Sequence, residues 1–492
     1  MSAPSPVTLA VVDMGSNSFR LELGRVEGDQ IYRLDTWRET LRMGAALDAR
    51  GHLKRGPQRA ALACLARFAE RLRGFHPSAV RAVATNTFRV ARNAGPFLAA
   101  AERTLGFPID IITGHEEARL IYVGVAHVLP PSEAPRLVID IGGGSTEFII
   151  GRGLLPQRLE SLPIGCVGLT QRFFTKGILS AARFAAATKA ARGEIDGIAG
   201  TFGNDHWEHA YASSGTALAL ADILAQNGFS DGGITPDGLA RLRKLMVRAG
   251  HVKDLALVAL KAERAPVLAG GLAVMEAAVR ELDVARIEPV GGALRLGVLY
   301  DLLGRTVHHD AREATVAQFA ERYRIDTAQA ERVAATCVRL FADLAPGIDV
   351  SCVQELRWAA LLHECGTSIA HTAFHKHGAY ILQNADMPGF SAREQQRLSY
   401  LVIGCRGGLR KMLPALEDAV FRAQILALRL AVLLHHARRP HAVPDLKLRD
   451  ERGVRLTVPA HWLRANPLTA HLLEREQRDW VSVGLPLRIT TR

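Results

Sequence analysis

The chain has 492 residues, 48% of them hydrophobic and 22% charged, with a formal net charge of +12. That length suits about three domains; no apolar run reaches the roughly 18 residues of a membrane span, and the opening MSAPSPVTLAVVDMG lacks a basic leader and a long apolar core, so a cytoplasmic location without a membrane partner is expected. The positive excess favours a polyanionic partner but is spread along the chain, +5 over residues 1–310 and +7 over residues 311–492, without the concentrated basic tail that would favour nucleic acid.

Taken in order, Val7 to Val12 is an apolar run that meets Asp13, then the small polar loop Gly15, Ser16, Asn17, Ser18, then an alternating strand from Phe19 to Leu23. Residues 57–73 carry Leu62, Leu65, Ala66, Ala69 and Leu72 at helical spacing. A strand from Ala79 to Ala84 runs into TNTFR, where Arg89 is placed either on a phosphate at the mouth of a sheet or on the solvated surface. The strand Ile109 to Ile112 leads into GHEEARLIYVGV, a helix whose first turn carries Glu116 and Glu117. Acidic residues complement a helix start, and a carboxylate there could also align and deprotonate a water beside a bound phosphoryl group.

The most informative stretch is RLVIDIGGGSTEFIIGR, residues 136–152. An apolar strand ends in Asp140, Gly142, Gly143, Gly144, Ser145 and Thr146 form a turn, and a second strand begins at Glu147. Glycines expose backbone amides, so this turn is expected to form a concave anion nest. Carboxylates flanking such a nest suit phosphate with a divalent metal, since bare carboxylates would repel the anion. The unit repeats the Asp13 unit 127 residues earlier, which predicts an internal duplication whose two loops clamp one phosphate chain.

A helix from Ala181 to Ile198 and a strand from His209 to Ala212 then lead to Ser213, Ser214, Gly215 and Thr216, a third anion contact or an ordinary helix cap. Residues 264–304 read as helix, strand, glycine turn and helix. His308, His309 and Asp310 form a polar joint, after which residues 316–438 are almost wholly helical. His363, His371, His375 and His377 with Glu364 invite a metal site, but spacing closes no ligand set. The six cysteines have no zinc spacing and are expected to be reduced. A hairpin over residues 445–458 turning at Asp450 to Gly453, a helix from His461 to Trp480 and a strand from Leu485 to Thr490 form a small tail.

The ordered set DMGSNSFR, TNTFR, GHEEARLIYVGV, LVIDIGGGSTEFIIG, SSGT, GGALRLGVLYDLLG, RWAALLHE and HGAYILQNADMPGF resembles the exopolyphosphatase and guanosine pentaphosphate phosphohydrolase family of the actin-like ATPase superfamily. The resemblance spans nearly the whole chain and is strongest to long bacterial exopolyphosphatases. It implies an α/β fold, a two-lobed actin-like (duplicated ribonuclease H-like) core with lobes at 1–123 and 124–305, an all-α HD-like domain with a degenerate metal site at 310–438, and a small α/β domain at 439–492. By motif, Glu117 matches the catalytic base. Asp140 and Glu147 match carboxylates that organise Mg²⁺ and the attacking water, Glu147 thereby counting as catalytic. Asp13 with Gly15 to Ser18, Gly142 to Thr146, and Ser214 to Thr216 match phosphate contacts, and Arg89 matches a substrate-contacting arginine. Inorganic polyphosphate is the expected substrate, hydrolysed from its end; guanosine pentaphosphate is the alternative, and an actin-like ATPase or sugar kinase ranks behind both. K⁺ is a further cofactor candidate and a homodimer is expected. Where relatives carry a histidine after the LSYLV-like helix, this chain reads IGCRGGLRK with Cys405 at that place.

Overall fold

The computed structural model describes residues 7–306, 310–440, 443–444, 446–450 and 453–491. His308 and His309 of the joint, and Asp445, Glu451 and Arg452 of the terminal hairpin, lie outside them. The chain forms two compact units, Met1–Ala311 and Arg312–Arg492.

In the first unit, β1 (Thr8–Met14), β2 (Ser18–Glu27) and β3 (Gln30–Thr40) form a meander, and α1 (Arg55–Arg71) crosses to β4 (Val80–Ala84). The short α2 (Asn86–Val90) and α3 (Ala94–Leu105) lead to β5 (Ile109–Ile111), which completes a sheet of order β3-β2-β1-β4-β5. Helix α4 (Gly114–Ala126) then carries the chain to β6 (Arg136–Ile141), β7 (Thr146–Arg152) and β8 (Leu155–Leu162). Through α5 (Cys166–Phe173) and α6 (Ala181–Phe202) the chain reaches β9 (His209–Ser213), then α7 (Ser214–Gln226), α8 (Pro236–Ala249), α9 (Leu268–Glu281), the short β10 (Glu288–Pro289) and α10 (Leu294–Thr306). The second sheet reads β8-β7-β6-β9-β10, the same order as the first, so the duplication seen in two sequence motifs extends to every strand of both lobes.

Strands β1, β4 and β6 are buried on both faces, which is why apolar residues dominate each, with Asp13, Arg81, Arg136 and Asp140 as buried charges among them. Strands β3 and β8 are sheet edges with mostly exposed or half-exposed residues. No element is expected there from sequence, because an exposed edge needs no apolar alternation. The helices α4 and α10 cross at two glycines. A Cβ on Gly297 would lie 1.7 Å from the Leu120 carbonyl oxygen, and one on Gly124 would lie 2.3 Å from that of Ala293. Below the crossing, a buried ion network joins Arg81 of β4, Glu116 and Arg119 of α4 and Asp301 of α10.

In the second unit, α11 (Ala311–Arg322), α12 (Thr327–Leu344), α13 (Val350–Leu362), α14 (Phe374–Asn384), α15 (Ala392–Gly404) and α16 (Ala419–Leu434) precede a three-stranded sheet of β11 (Lys447–Asp450), β12 (Val454–Val458) and β13 (Leu487–Thr491). The tail shares one hydrophobic core with the helices, to which Leu448, Leu456, Leu473, Trp480 and Leu487 contribute beside Leu340, Phe341 and Leu426. Between β12 and β13, the single helix expected over residues 461–480 is two, α17 (Ala460–Ala465) and α18 (Pro467–Val481). Pro467 occupies the first turn of the second helix and Asn466 before it is non-helical, as the residue before a proline prefers.

The histidine segment forms no metal cluster among the described residues. The Glu364 carboxylate is taken by Arg438 at 3.0 Å, and His363 is buried with Nδ1 2.6 Å from the Ala360 carbonyl oxygen. Cys405 is buried, and burial pushes its thiol up to about 12, so it is inert at neutral pH.

Candidate active site

The two loops that follow β1 and β6 fold alike. Gly15 N–H donates to the Ser18 carbonyl at 3.2 Å, and Gly142 N–H donates to the Ser145 carbonyl at 2.9 Å. The first loop is pinned from behind: Gly44 N–H donates to Ser16 O at 2.8 Å, Arg42 N–H to Asn17 O at 2.9 Å, and the Thr87 hydroxyl to Ser16 Oγ at 2.8 Å. The second is pinned by the start of α5, where Cys166 N–H donates to Gly142 O at 3.0 Å and Val167 N–H to Gly143 O at 2.9 Å. Among the described residues, the amides of Ser16, Asn17, Gly143 and Gly144 donate no hydrogen bond, leaving four backbone donors for an anion.

The glycines have a steric purpose besides the one expected. None of Gly142, Gly143 and Gly144 has a positive φ, so the turn is not the alternating αR–αL nest. They also permit close approach of the lobes: a Cβ on Gly143 would stand 3.2 Å from Ser16 Cβ, and one on Gly144 would stand 2.4 Å from Asn86 Oδ1. Beside the facing loops lies a cavity of about 490 Å³, a volume within the range of small-ligand sites.

Asp13, Gly15, Ser16, Asn17, Ser18, Glu117, Asp140, Gly142, Gly143, Gly144, Ser145, Ser214, Gly215 and Thr216 all line this cavity. Glu147, Arg89 and Thr146 stand behind its wall. Asp140 and Glu147 are directly opposed on β6 and β7, and Ser161 donates to Glu147 Oε1 at 2.8 Å. Arg89 donates to Glu117 Oε2 at 2.8 Å and to the Ile112 carbonyl at 2.9 Å, so it acts on Glu117 rather than lining the cavity. The Thr146 hydroxyl is spent on the Ile164 carbonyl at 2.6 Å; its role is to hold the strand end, not to meet a ligand. Ser214 both caps and faces the cavity. Its Oγ accepts from Thr216 and Ala217 N–H at 3.2 and 3.1 Å, while its own φ of +89° is a strained conformation for a residue with a side chain.

Four acidic groups stand in a shared field. Burial pushes Glu117 up to about 7, Arg89 pulling it back and Asp13 and Asp140 adding to the rise. Burial also raises Asp140 to about 6 against the hydrogen bond from Ser213. Burial, with repulsion from Glu117 and Asp140, takes Glu147 well above the ordinary carboxyl range. Asp13 is raised by burial and partly restored by Arg295.

Sequence reasoning missed the cationic half of the wall. Arg20, Arg38, Arg264 and Arg295 line the cavity. Burial and repulsion from Arg295 lower Arg20 to about 10, and Arg38 keeps Nε and Nη2 buried without a hydrogen-bond partner among the described residues. Arg264 presses so closely on the start of α7 that a Cβ on Gly215 would lie 1.8 Å from its Nη2. Crowded guanidinium groups with unsatisfied donors describe a site for a highly charged anion. In the sequence Arg295 follows the glycine turn of GGALR and Arg20 follows the first loop; Arg38 joins them because β3 pairs with β2 and sets it directly opposite Arg20, and Arg264 comes from a distant part of the chain.

Two family descriptions match this chain: the Ppx/GppA phosphatase family over residues 24–306 and Ppx/GppA phosphatase, domain III, over residues 311–477. It is 36% identical over 486 residues to a guanosine-5'-triphosphate,3'-diphosphate pyrophosphatase of Photobacterium profundum, covering 97% of both chains. Among solved structures, an exopolyphosphatase from Cytophaga hutchinsonii matches with TM-score 0.55 and 24% identity over 60% of this chain and 97% of that one. The PPX-GPPA enzyme of Aquifex aeolicus matches with TM-score 0.52 and 23% identity, over 60% of this chain and 100% of its own. These likenesses show the fold, the two-lobed actin-like ATPase architecture.

Proposed function

Because the chain belongs to the Ppx/GppA phosphatase family, whose members are phosphoanhydride hydrolases, we propose that it hydrolyses the terminal phosphoanhydride of guanosine pentaphosphate, giving guanosine tetraphosphate and orthophosphate. The observation that carries this substrate is the 36% identity across 97% of both chains with a relative named for it. It reverses the order expected from sequence, where inorganic polyphosphate came first. Polyphosphate is retained as a second reading by the arginine wall and the net charge of +12, which suit any long phosphate chain.

The chemistry follows from the wall. The free amides of the two loops take phosphate oxygens and fix the terminal phosphoryl group, a step in which positioning and charge neutralisation matter more than covalent catalysis. Glu117 aligns a water for in-line attack and accepts its proton, and Arg89 holds the carboxylate in place. The arginines neutralise the remaining phosphates. Glu147 faces Asp140 from the neighbouring strand as the second carboxylate at the cation position.

Two carboxylates directly opposed on adjacent strands repel each other, and both are pushed toward the protonated form. A hard cation relieves that repulsion, so the donor set fits Mg²⁺. No group of three or more ligating side chains exists among the described residues, which suits an ion held by one or two carboxylates and by substrate phosphates. Asp140, with Glu147 behind it, would hold Mg²⁺, which when bound supplies neutralisation of phosphoryl charge.

The deciding experiment compares kcat/KM for guanosine pentaphosphate and for long-chain polyphosphate at matched ionic strength. A higher value for the nucleotide is the expected result; a tenfold preference for polyphosphate makes the chain an exopolyphosphatase, and phosphate release from neither overturns both readings.

A pH profile tests the base. Glu117 accepts a proton only as the carboxylate, so kcat/KM should rise with pH along a limb near 7. Arg89→Met removes the charge and hydrogen bond that lower Glu117, so the limb should move to higher pH. An unmoved limb in that variant would assign the titration to another group.

A further inference from the structure

The cavity wall changes character along α7. Ser214, Leu218 and Asp222 recur every fourth residue, so they lie on one stripe of the helix, and all three line the cavity. At 1.5 Å of rise per residue, Asp222 stands about 12 Å along the axis from Ser214. The Ser214 end adjoins the phosphate loops through the hydrogen bond from Ser213 to Asp140 and the pairing of β9 with β6. Away from that end, the helix stripe itself is apolar and then acidic, and Lys261 also lines the cavity. Leu218 is 40% exposed, and the small residues Ala219 and Ala259 line the cavity with it. Asp222 is exposed and makes no hydrogen bond or ion pair among the described residues.

A carboxylate on the wall of a phosphate site repels the phosphates. Asp13, Glu117 and Asp140 line the same wall at the loops, where water and a cation would meet them; Asp222, about 12 Å along the helix from Ser214, suits instead a part of the substrate that is not phosphate and offers donors. Resting on the guanosine pentaphosphate reading above, we propose that Leu218 and Asp222 form the base subsite, with Leu218 as an apolar plate under the ring and Asp222 selecting guanine. Guanine presents N1–H and N2–H₂ side by side, two donors that one carboxylate accepts together. Adenine presents an acceptor, N1, where guanine has N1–H, and that lone pair faces the carboxylate unfavourably. The stripe thus runs from phosphates at Ser214 to base at Asp222, a span of helix that matches a nucleotide rather than a single phosphoryl group.

The test is steady-state hydrolysis by the full chain of the 3'-diphosphate 5'-triphosphates of guanosine, inosine and adenosine. Bidentate recognition of a base discriminates by about tenfold or more, so the wild-type protein is expected to prefer guanosine over adenosine by that factor, with inosine, which lacks the N2 amine, between them. In Asp222→Ala the guanosine preference should collapse to within about threefold of adenosine, with the loss carried by KM. Asp222→Asn, which retains one acceptor, should fall between the two. Because Asp222 is exposed and unpaired, both variants should melt with the wild type, which separates recognition from folding. A wild-type enzyme indifferent to the base, or an Asp222→Ala enzyme with its preference intact, overturns the subsite. A wild-type enzyme that turns over polyphosphate and no guanosine substrate instead overturns the reading on which the subsite rests.

Discussion

Glu117→Gln is expected to lower kcat by about 10²- to 10⁴-fold, the usual contribution of a general base, with little change in KM. The amide keeps the shape of the carboxyl group and, through Oε1, can still accept from Arg89, which donates to Glu117 at 2.8 Å. What is lost is the ability to accept a proton. Folding should not suffer. Burial pushes Glu117 up to about 7, so the native protein holds a proton that the unfolded chain releases, and the wild type loses stability as pH rises from the ordinary carboxyl range through 7. Glutamine has no such titration, so the variant should melt at or above the wild-type temperature near pH 8. Phosphate release at the wild-type rate by a folded Glu117→Gln protein would remove Glu117 from the mechanism. A wild-type kcat together with a raised KM would make it a binding residue instead.

The second large effect is on stability. Asp301 of α10 accepts from Arg81 of β4 and Arg119 of α4, with Arg305 at 3.0 Å, and Glu116 completes the network at 2.7 Å from Arg119. The side chains of Arg81, Arg119 and Asp301 are 4%, 8% and 4% exposed. Burial alone would push the Asp301 carboxyl up, but Arg119, Arg305 and Arg81 together hold it well below the usual carboxylate range. Asp301→Asn keeps the volume and removes the charge, leaving two buried guanidinium groups with Glu116 alone. Breaking a buried pair from one side costs about 3–5 kcal/mol, which lowers the melting temperature of the first unit by on the order of 10 °C. The pH dependence supplies an independent check. The folded-state pKa of Asp301 is depressed, so its contribution is fully present above about pH 4 and is lost as pH falls toward the lower native value. The gap between wild type and variant should therefore be constant near neutrality and narrow in acid. A gap that widens in acid, or a melting temperature within about 2 °C of the wild type, would mean that the arginines find other partners.

Both variants concern α4, and the contrast between them is instructive. Glu116 and Glu117 are adjacent and equally acidic in sequence, and both lie in the first turn, where the helix dipole favours carboxylates. Successive helical residues point about 100° apart, which turns Glu116 into the ion network and Glu117 toward the cavity. Two neighbouring glutamates thereby take separate places, one in the buried ion network and one on the cavity wall.

Much of the site was legible in the sequence because it is local. An apolar run ending in Asp13 or Asp140, followed by small loop residues and a second strand, is a hairpin whatever surrounds it. Its repetition after 127 residues implied two lobes, and the matching strand orders bear that duplication out. The elements passed over, β3 and β8, are edges whose exposed faces leave no hydrophobic signature. The loop glycines were legible as glycines but not in their purpose, because what excludes a Cβ at Gly144 is Asn86, a residue of the other lobe.

By itself, then, the sequence determined the paired hairpins, the acidic helix start and the basic excess, each of which depends on periodicity, turn chemistry or charge within a few residues. Only the tertiary structure decided which charges meet. It put Arg89 on Glu117, opened a cavity lined by Arg20, Arg38, Arg264 and Arg295, and set Asp222 on the same wall. The physical reason is that electrostatic and steric relations depend on distance in space and on burial, and residues from separate strands and helices acquire both only when the two sheets close on each other.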